Sequence, residues 1–267
     1  MSEAKPSEIS GSSESRAARI LALDTSTRTA SVAVLGGARE VEIDHAVGSH
    51  SDDLIALIDR ALADAGLRLA ELDGVAVGAG PGSFTGLRIA MATGKGLCFA
   101  SGLPLWPVSS LAALALDGVD NLAAADPPED AAGALFVPLL DARRDEVFVG
   151  LYRAEGAGVI AIAPDAVLPV AELARAVADA LSRTGSSRAI LLGDAQDNHA
   201  TALAAAGELV TGARSTPSAR SIGRLAALGE HADALRSGTP VYIRPSEAEV
   251  KFPDGNPGGH PHRSGKQ

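Results

Sequence analysis

The run Ala79-Gly80-Pro81-Gly82-Ser83-Phe84-Thr85-Gly86 joins an apolar stretch to a helix-forming one. At such a turn, glycines let backbone N–H groups and a helix N-terminus approach an anion, which is the physics of phosphate loops. Gly80, Gly82 and Ser83 are therefore candidate anion or nucleotide contacts. The same glycines also permit a tight turn and close helix packing with no ligand at all. The run matches no standard motif. A Walker A loop, G-x-x-x-x-G-K-S/T, fails because Gly94-Lys95 is followed by Gly96 and the position five before Gly94 is Ile89. A nucleophile elbow, G-x-S-x-G, fails because Pro81 and Thr85 stand where its glycines belong.

A second candidate is Asp24-Thr25-Ser26-Thr27, a polar break between two apolar strands. Actin-like ATPases and sugar kinases place an acidic residue and small donors near phosphate and metal at such a turn, which makes Asp24 and Ser26 candidates. A turn-capping aspartate is the plainer alternative. A nucleotide cleft in that fold also needs a second small-residue turn, and the corresponding segment here reads Asp141-Ala142-Arg143-Arg144-Asp145. Arginines replace the glycines that would let N–H groups reach a phosphate, although Arg143 and Arg144 are themselves suited to an anion or an acidic partner. Gly193-Asp194-Ala195 is only a remnant of an adenosine site.

Metal chemistry finds no constellation, because the six histidines at 45, 50, 199, 231, 260 and 262 form no H-E-x-x-H or comparable pair. His260 and His262 stand in a Gly/Pro-rich end and read as solvated. The single cysteine, Cys98, excludes an internal disulfide and reads as a small packing residue. No serine has a recognisable base beside it.

The elements that position these residues follow from hydrophobic period. Residues 20–23 and 31–35 read as strands of a hairpin, with Val41, Ile43 and Val47 alternating as a third strand. Ser51 caps a helix carrying Leu54, Leu57, Ile58, Ala61 and Leu62. A strand over 74–78, the glycine-rich turn, a helix from about Leu87 to 101 and a short Ala/Leu helix after Trp106-Pro107-Val108 complete one half. The second half reads as strands over 134–140, 146–152 and 159–163, a helix over 170–181, a strand over 189–192 and a helix over 195–206. Two successive strand-strand-strand-helix-strand-helix units predict an α/β, two-lobed actin/sugar-kinase-like fold of duplicated ribonuclease-H-like domains. The expected divisions are a disordered tail at 1–18, an N-terminal lobe at 19–116 and a linker at 117–133. A C-terminal lobe at 134–216 follows, then a helix at 217–236 packing on the first lobe, and a C-terminal segment with a disordered tail at 237–267.

Composition narrows the function classes. With 23 basic against 33 acidic groups the net charge is -10, the wrong balance for a protein that holds nucleic acid unaided by neutralising phosphates. No window has the run of apolar residues that a membrane span needs, and the Ser/Glu-rich start has no secretion-signal core. The cytoplasm is the expected location.

The segments Ile20-Leu21-Ala22-Leu23-Asp24-Thr25-Ser26, His50-Ser51, Gly78-Ala79-Gly80-Pro81-Gly82-Ser83-Phe84-Thr85-Gly86-Leu87-Arg88, Asp141-Ala142-Arg143-Arg144 and Tyr242-Ile243-Arg244 together resemble the TsaB family, also called YeaZ. The resemblance runs from about Ile20 to Lys251. It implies a non-catalytic subunit that binds and activates a catalytic paralogue, TsaD, and works with an ATPase, TsaE, in making threonylcarbamoyladenosine on tRNA. TsaD carries an H-x-E-G-H-like metal segment after the strand that here reads Trp106-Pro107-Val108. This chain has Ser109-Ser110-Leu111-Ala112-Ala113-Leu114 there, with no ligand. The resemblance also implies a pairing surface on the helix after His50, with His50, Leu54, Leu57, Ile58 and Leu62 as candidates. A homodimer through the same surface is the expectation when TsaD is absent. No resident cofactor or metal is implied, with ATP or ADP confined to a partner interface, and tRNA is met only through the complex. The rival readings are an ATP-dependent phosphotransferase of the sugar-kinase type, for which Asp24 alone is insufficient, and a metallopeptidase-like enzyme, which lacks its ligands.

Overall fold

The computed structural model describes residues 17–46, 52–125, 128–209, 214–229 and 233–244. The expected tails fall largely outside these residues, and His50 falls wholly outside them.

Strands β1 (Ile20–Asp24) and β2 (Thr29–Leu35) form an antiparallel hairpin, and β3 (Val41–Ala46) adds to its edge. Helix α1 (Asp52–Ala65) carries the chain back so that β4 (Gly74–Gly78) lies parallel to β1. Helix α2 (Phe84–Ser101) leads to β5 (Leu105–Val108), which completes a sheet of order β3-β2-β1-β4-β5. After α3 (Ser110–Ala123) the plan repeats. Strands β6 (Ala134–Arg143), β7 (Glu146–Glu155) and β8 (Gly158–Pro169) run antiparallel, and α4 (Val170–Thr184) returns the chain to β9 (Arg188–Leu192), parallel to β6. Helix α5 (Gln196–Leu203) then reaches the short edge strand β10 (Glu208–Leu209). Read from its other edge, the second sheet is β8-β7-β6-β9-β10, the order and strand directions of the first. The molecule is thus an α/β pair of ribonuclease-H-like lobes. Among the described residues no helix is long and apolar enough to cross a membrane.

Both faces of each sheet are covered. Helices α1 and α2 bury Ile58 and Met91 against Leu23, Val32 and Val75 on one face of the first sheet. Helix α4 places Leu173 and Val177 on Val137, Val149 and Leu191 of the second. The remaining faces are covered crosswise. Helix α6 (Ala219–Leu228), which follows the second lobe, lays Ile222 and Ala226 on Ile20, Ala22 and Ala33 of the first sheet. Helix α3, which follows the first lobe, packs Leu111, Leu114 and Leu122 on Phe136, Phe148 and Ile190 of the second. This differs from the expected linker at 117–133, because α3 continues through residues 117–123. The reason is tertiary: Gly118 leaves room for Leu192 and Phe136, and Leu122 is buried beside them.

The crossed helices are clasped by Asp117, whose carboxylate accepts from Ser221 Oγ at 2.6 Å and from the Ser218 N–H at 3.0 Å. Burial is the dominant influence on this carboxyl and pushes it up to about 7, against those hydrogen bonds and the Arg214 charge. The folded chain therefore keeps a proton that the unfolded chain loses from near pH 4 upward, so stability falls as pH rises from about 4 to about 7 and does not recover above. We expect Asp117→Asn to flatten this part of the stability profile. The wild-type loss between pH 5 and pH 8, measured by urea unfolding, should exceed that of the variant by up to about 2.5 kcal/mol.

Candidate functional site

A cleft of about 1150 Å³ lies between the lobes. The β1–β2 turn contributes Ser26 and Arg28, the loop before α2 contributes Gly82 and Ser83, and the first turns of α2 contribute Phe84 and Arg88. The β6–β7 turn supplies Asp141 to Arg144, the start of α5 supplies Asp197 and Asn198, and residues 241–244 line the cleft as well.

Of the sequence-derived anion contacts, Ser26, Gly82, Ser83 and Arg143 line this cleft, whereas Asp24 and Gly80 do not. Asp24 is completely buried. Its carboxylate accepts from the Ser26 N–H at 2.8 Å, from Ser26 Oγ at 2.6 Å and from Ser110 Oγ at 2.7 Å. Gly80 closes the same knot, donating its N–H to Ser110 Oγ at 3.3 Å and accepting from the Ser110 N–H at 2.9 Å. Burial raises the Asp24 carboxyl above its ordinary value, and the surrounding hydrogen bonds oppose that rise. The expectation that Asp24 and Gly80 face a ligand is corrected. Any Cβ at Gly78 would run into the Asp24 carboxylate, so the strand beside it is closed against that group by design of its packing.

The glycine run behaves as a packing turn. The Ser83 N–H is taken by the Ser26 carbonyl at 2.7 Å, and the Gly86 N–H is capped by Ser83 Oγ at 3.3 Å. A Cβ at Gly86 would collide with the Thr25 carbonyl, while Thr25 Oγ1 donates back to the Gly86 carbonyl at 2.7 Å. At the start of α2 the Gly86 N–H, and before it the Ser83 N–H, are thereby committed inside the protein rather than offered to an anion.

Across the cleft, Arg143, Arg144 and Asp145 all adopt left-handed backbone, with φ of 64°, 56° and 58°. These are the positions where glycine would be easiest, and the turn carries arginines despite a cost of roughly 1–2 kcal/mol for each such residue. The Asp141 carboxylate caps the turn, accepting from the Arg143 N–H at 2.7 Å and from Asn198 Nδ2 at 3.1 Å. Asp194 in turn accepts from the Asp141 N–H at 2.9 Å. Burial raises its carboxyl to about 6, with the Asp141 and Asp197 charges adding to the rise. The acidic groups beside the arginines thus hold backbone in place. No group of histidine, cysteine or carboxylate side chains among the described residues is arranged to hold a metal ion.

A group that period and spacing did not mark completes the cleft. Arg88 lies 3.8 Å over the Phe84 ring and donates Nε–H to Tyr242 Oη at 3.0 Å, while the Phe84 and Tyr242 rings are 4.8 Å apart. The only sequence signal for it is that Phe84, Arg88 and Tyr242 all fall inside the quoted family segments.

The first-lobe helices present a second surface. Leu54, Ile58 and Leu62 are buried in their own lobe at 5%, 2% and 8% exposure, so they are core residues rather than a docking face. Their i, i+4, i+8 spacing is the stripe that meets the sheet. Leu57 is partly buried against the same core. Outward from α1 and α2 stand Ile55, 49% exposed, and Phe99, 85% exposed.

Residues 44–216 match the family model described as TsaD: tRNA N6-adenosine threonylcarbamoyltransferase. The solved structure of YeaZ from Pseudomonas aeruginosa superposes with a TM-score of 0.68 at 28% identity, covering 84% of this chain and 99% of that one. The chain belongs to the TsaB (YeaZ) family. The Bacillus subtilis protein named tRNA threonylcarbamoyladenosine biosynthesis protein TsaB is 28% identical over 87% of this chain and 97% of its own length. The Haemophilus influenzae protein of the same name is 38% identical over 48% of this chain, and that match spans 51% of its length. The TsaB fold of this chain therefore keeps the two lobes and the cleft, with Asp24 built into the core.

We expect Asp24→Ala to lower stability by about 3 kcal/mol, because it leaves Ser26 and Ser110 donors buried without their acceptor. Asp24→Asn, which retains one acceptor oxygen, should cost less. Chemical denaturation of the purified variants measures both. Near-neutral Asp24→Ala would show that the carboxylate is not the structural centre of the first lobe.

Proposed function

We propose that this chain is a non-catalytic partner subunit that binds and activates a TsaD-type enzyme in the threonylcarbamoylation of adenosine in tRNA. The observation that carries this reading is the place of Asp24. A phosphotransferase on this fold would need its acid at the cleft, and here the carboxylate is spent inside the first lobe. The segment 109–114, where the catalytic paralogue's metal ligands are expected, instead caps and starts α3, with the Ser109 side chain accepting from the Ala112 N–H. The TsaB names of the relatives support the pathway.

The work is then done by a surface. Phe99 and Ile55 on the outer side of α2 and α1 are the apolar anchors that a partner would cover, in the way aromatic residues dominate interface energetics. With a net charge of -10 the chain meets tRNA through the complex rather than alone. Any ATP or ADP belongs to the interface with a partner, a TsaE-type ATPase is the further member of the machinery, and the cytoplasm is where tRNA is modified. A homodimer through the same anchors is the state of the unpartnered chain.

Mixing the purified chain with its TsaD-type partner should give a complex by analytical ultracentrifugation. Phe99→Glu and Ile55→Glu should each weaken it about 30-fold or more, the loss expected for a hot-spot residue. Both should melt within a few degrees of wild type, because neither residue is in the core. Ile160→Glu, on the second lobe, should bind normally. A complex indifferent to Phe99→Glu and Ile55→Glu would move the docking face elsewhere, and ATP turnover by the chain alone with no complex would favour a phosphotransferase.

A further inference from the structure

The C-terminal residues of the described chain bridge the two lobes at the cleft. Their path begins on the first lobe, where the Leu105 N–H donates to Asp233 Oδ1 at 3.0 Å and the Ala234 N–H donates to the Leu105 carbonyl at 2.9 Å. Leu235 packs against the first-lobe core. The Val241 N–H then donates to the Ala79 carbonyl at 2.7 Å, directly beside the glycine run. Tyr242 stacks against Phe84 and accepts from Arg88, both on α2. At the next residue the chain changes lobes. Ile243 packs into the second-lobe cluster of Phe136, Leu140 and Phe148. Arg244 donates to the Ala142 carbonyl at 2.6 Å and pairs with Glu146 at 2.7 Å, across the ends of β6 and β7.

Two-lobed proteins with a central cleft ordinarily open and close about a hinge, so the angle between the lobes is the variable that a ligand controls. In this chain the crossed helices α3 and α6 form one connection between the lobes, and residues 241–244 form another at the cleft. Opening or closing the cleft would pull Tyr242 from its Phe84–Arg88 seat or Arg244 from Ala142 and Glu146. We propose that residues 241–244 are a strap that fixes the angle between the lobes, so that the cleft is held by the protein's own chain rather than by a ligand. The strap uses the same Phe84, Arg88 and β6–β7 groups that line the cleft, and it therefore takes up binding capacity that a nucleotide would otherwise use. The proposal concerns the chain by itself and does not depend on any partner.

The test is the distance between lobes in the isolated protein. In a Cys98→Ala background, spin labels on Ala92→Cys in α2 and Ala178→Cys in α4, both exposed positions outside the strap, report the lobe separation by pulsed electron resonance. Diluted with excess unlabelled chain, so that only labels within one protomer report, the intact chain should give one narrow distance distribution. Tyr242→Ala combined with Arg244→Ala should widen it about twofold or shift its centre, as expected when a hinge is released, while Tyr242→Phe, which keeps the ring stack, should stay near wild type. A distribution in the double variant identical to that of the intact chain overturns the strap. Should the double variant fail to fold, Arg244→Leu alone decides the matter in the same two directions, since it removes the polar second-lobe anchor and leaves the Tyr242 seat and Ile243 in place.

Discussion

The hydrogen bonds converging on the Asp24 carboxylate and Ser110 organise the first lobe and, through it, the cleft. Asp24 ends β1, Ser26 begins the following turn, Gly80 lies in the loop after β4, and Ser110 opens α3. Three segments remote in sequence, at residues 24–26, 80 and 110, are thus tied together at one buried acid. A carboxylate removed from water costs several kcal/mol unless its lone pairs are satisfied, which is why such a group is surrounded by donors or stays protonated. Satisfying it leaves nothing of Asp24 for a ligand. The turn that would cradle a phosphate is drawn onto Ser26 and Thr25 instead, and the cleft loses the side chain around which chemistry in this fold is usually arranged.

From that knot the crossed helices follow. Because Ser110 is held beside Asp24, α3 departs from the first lobe in a direction that lays its apolar side on the second sheet. The start of α3 is pinned there as well, since Ser109 Oγ and Tyr152 Oη both donate to Asp165, at 2.7 and 2.6 Å. Helix α6 fills the complementary space over the first sheet, and Asp117 joins the two helices. The interface between lobes is therefore made of helices exchanged between them, which binds the lobes more closely than simple contact would.

Much of the fold was legible because its signals are local. Two apolar runs around a polar break marked the hairpin of β1 and β2, and helical spacing of Leu54, Ile58 and Leu62 marked α1. The repeated order of elements disclosed the duplication without any residue-level repeat. What failed required tertiary knowledge. Leu54, Ile58 and Leu62 were the obvious stripe on α1, and periodicity finds the face that is buried, not the one left over. Phe99 stands on a helix with apolar residues around most of its circumference, so nothing in its spacing distinguishes it. Residues 117–123 look like linker until Leu122 and Gly118 meet the second sheet. Asp24 and Ser110 are 86 residues apart, and neither type nor spacing announces their bond.

Under the proposed function, the chain acts through the outer face of its first-lobe helices and its cleft is structural. Threonylcarbamoyl transfer to tRNA by a reconstituted TsaD-type enzyme, supplied with variants of this chain, measures that directly. A cleft variant such as Arg143→Ser should support transfer at close to the wild-type rate, and a face variant such as Phe99→Asp should support little or none. The reverse pattern, with transfer lost on changing the cleft and kept on changing the face, would contradict the account.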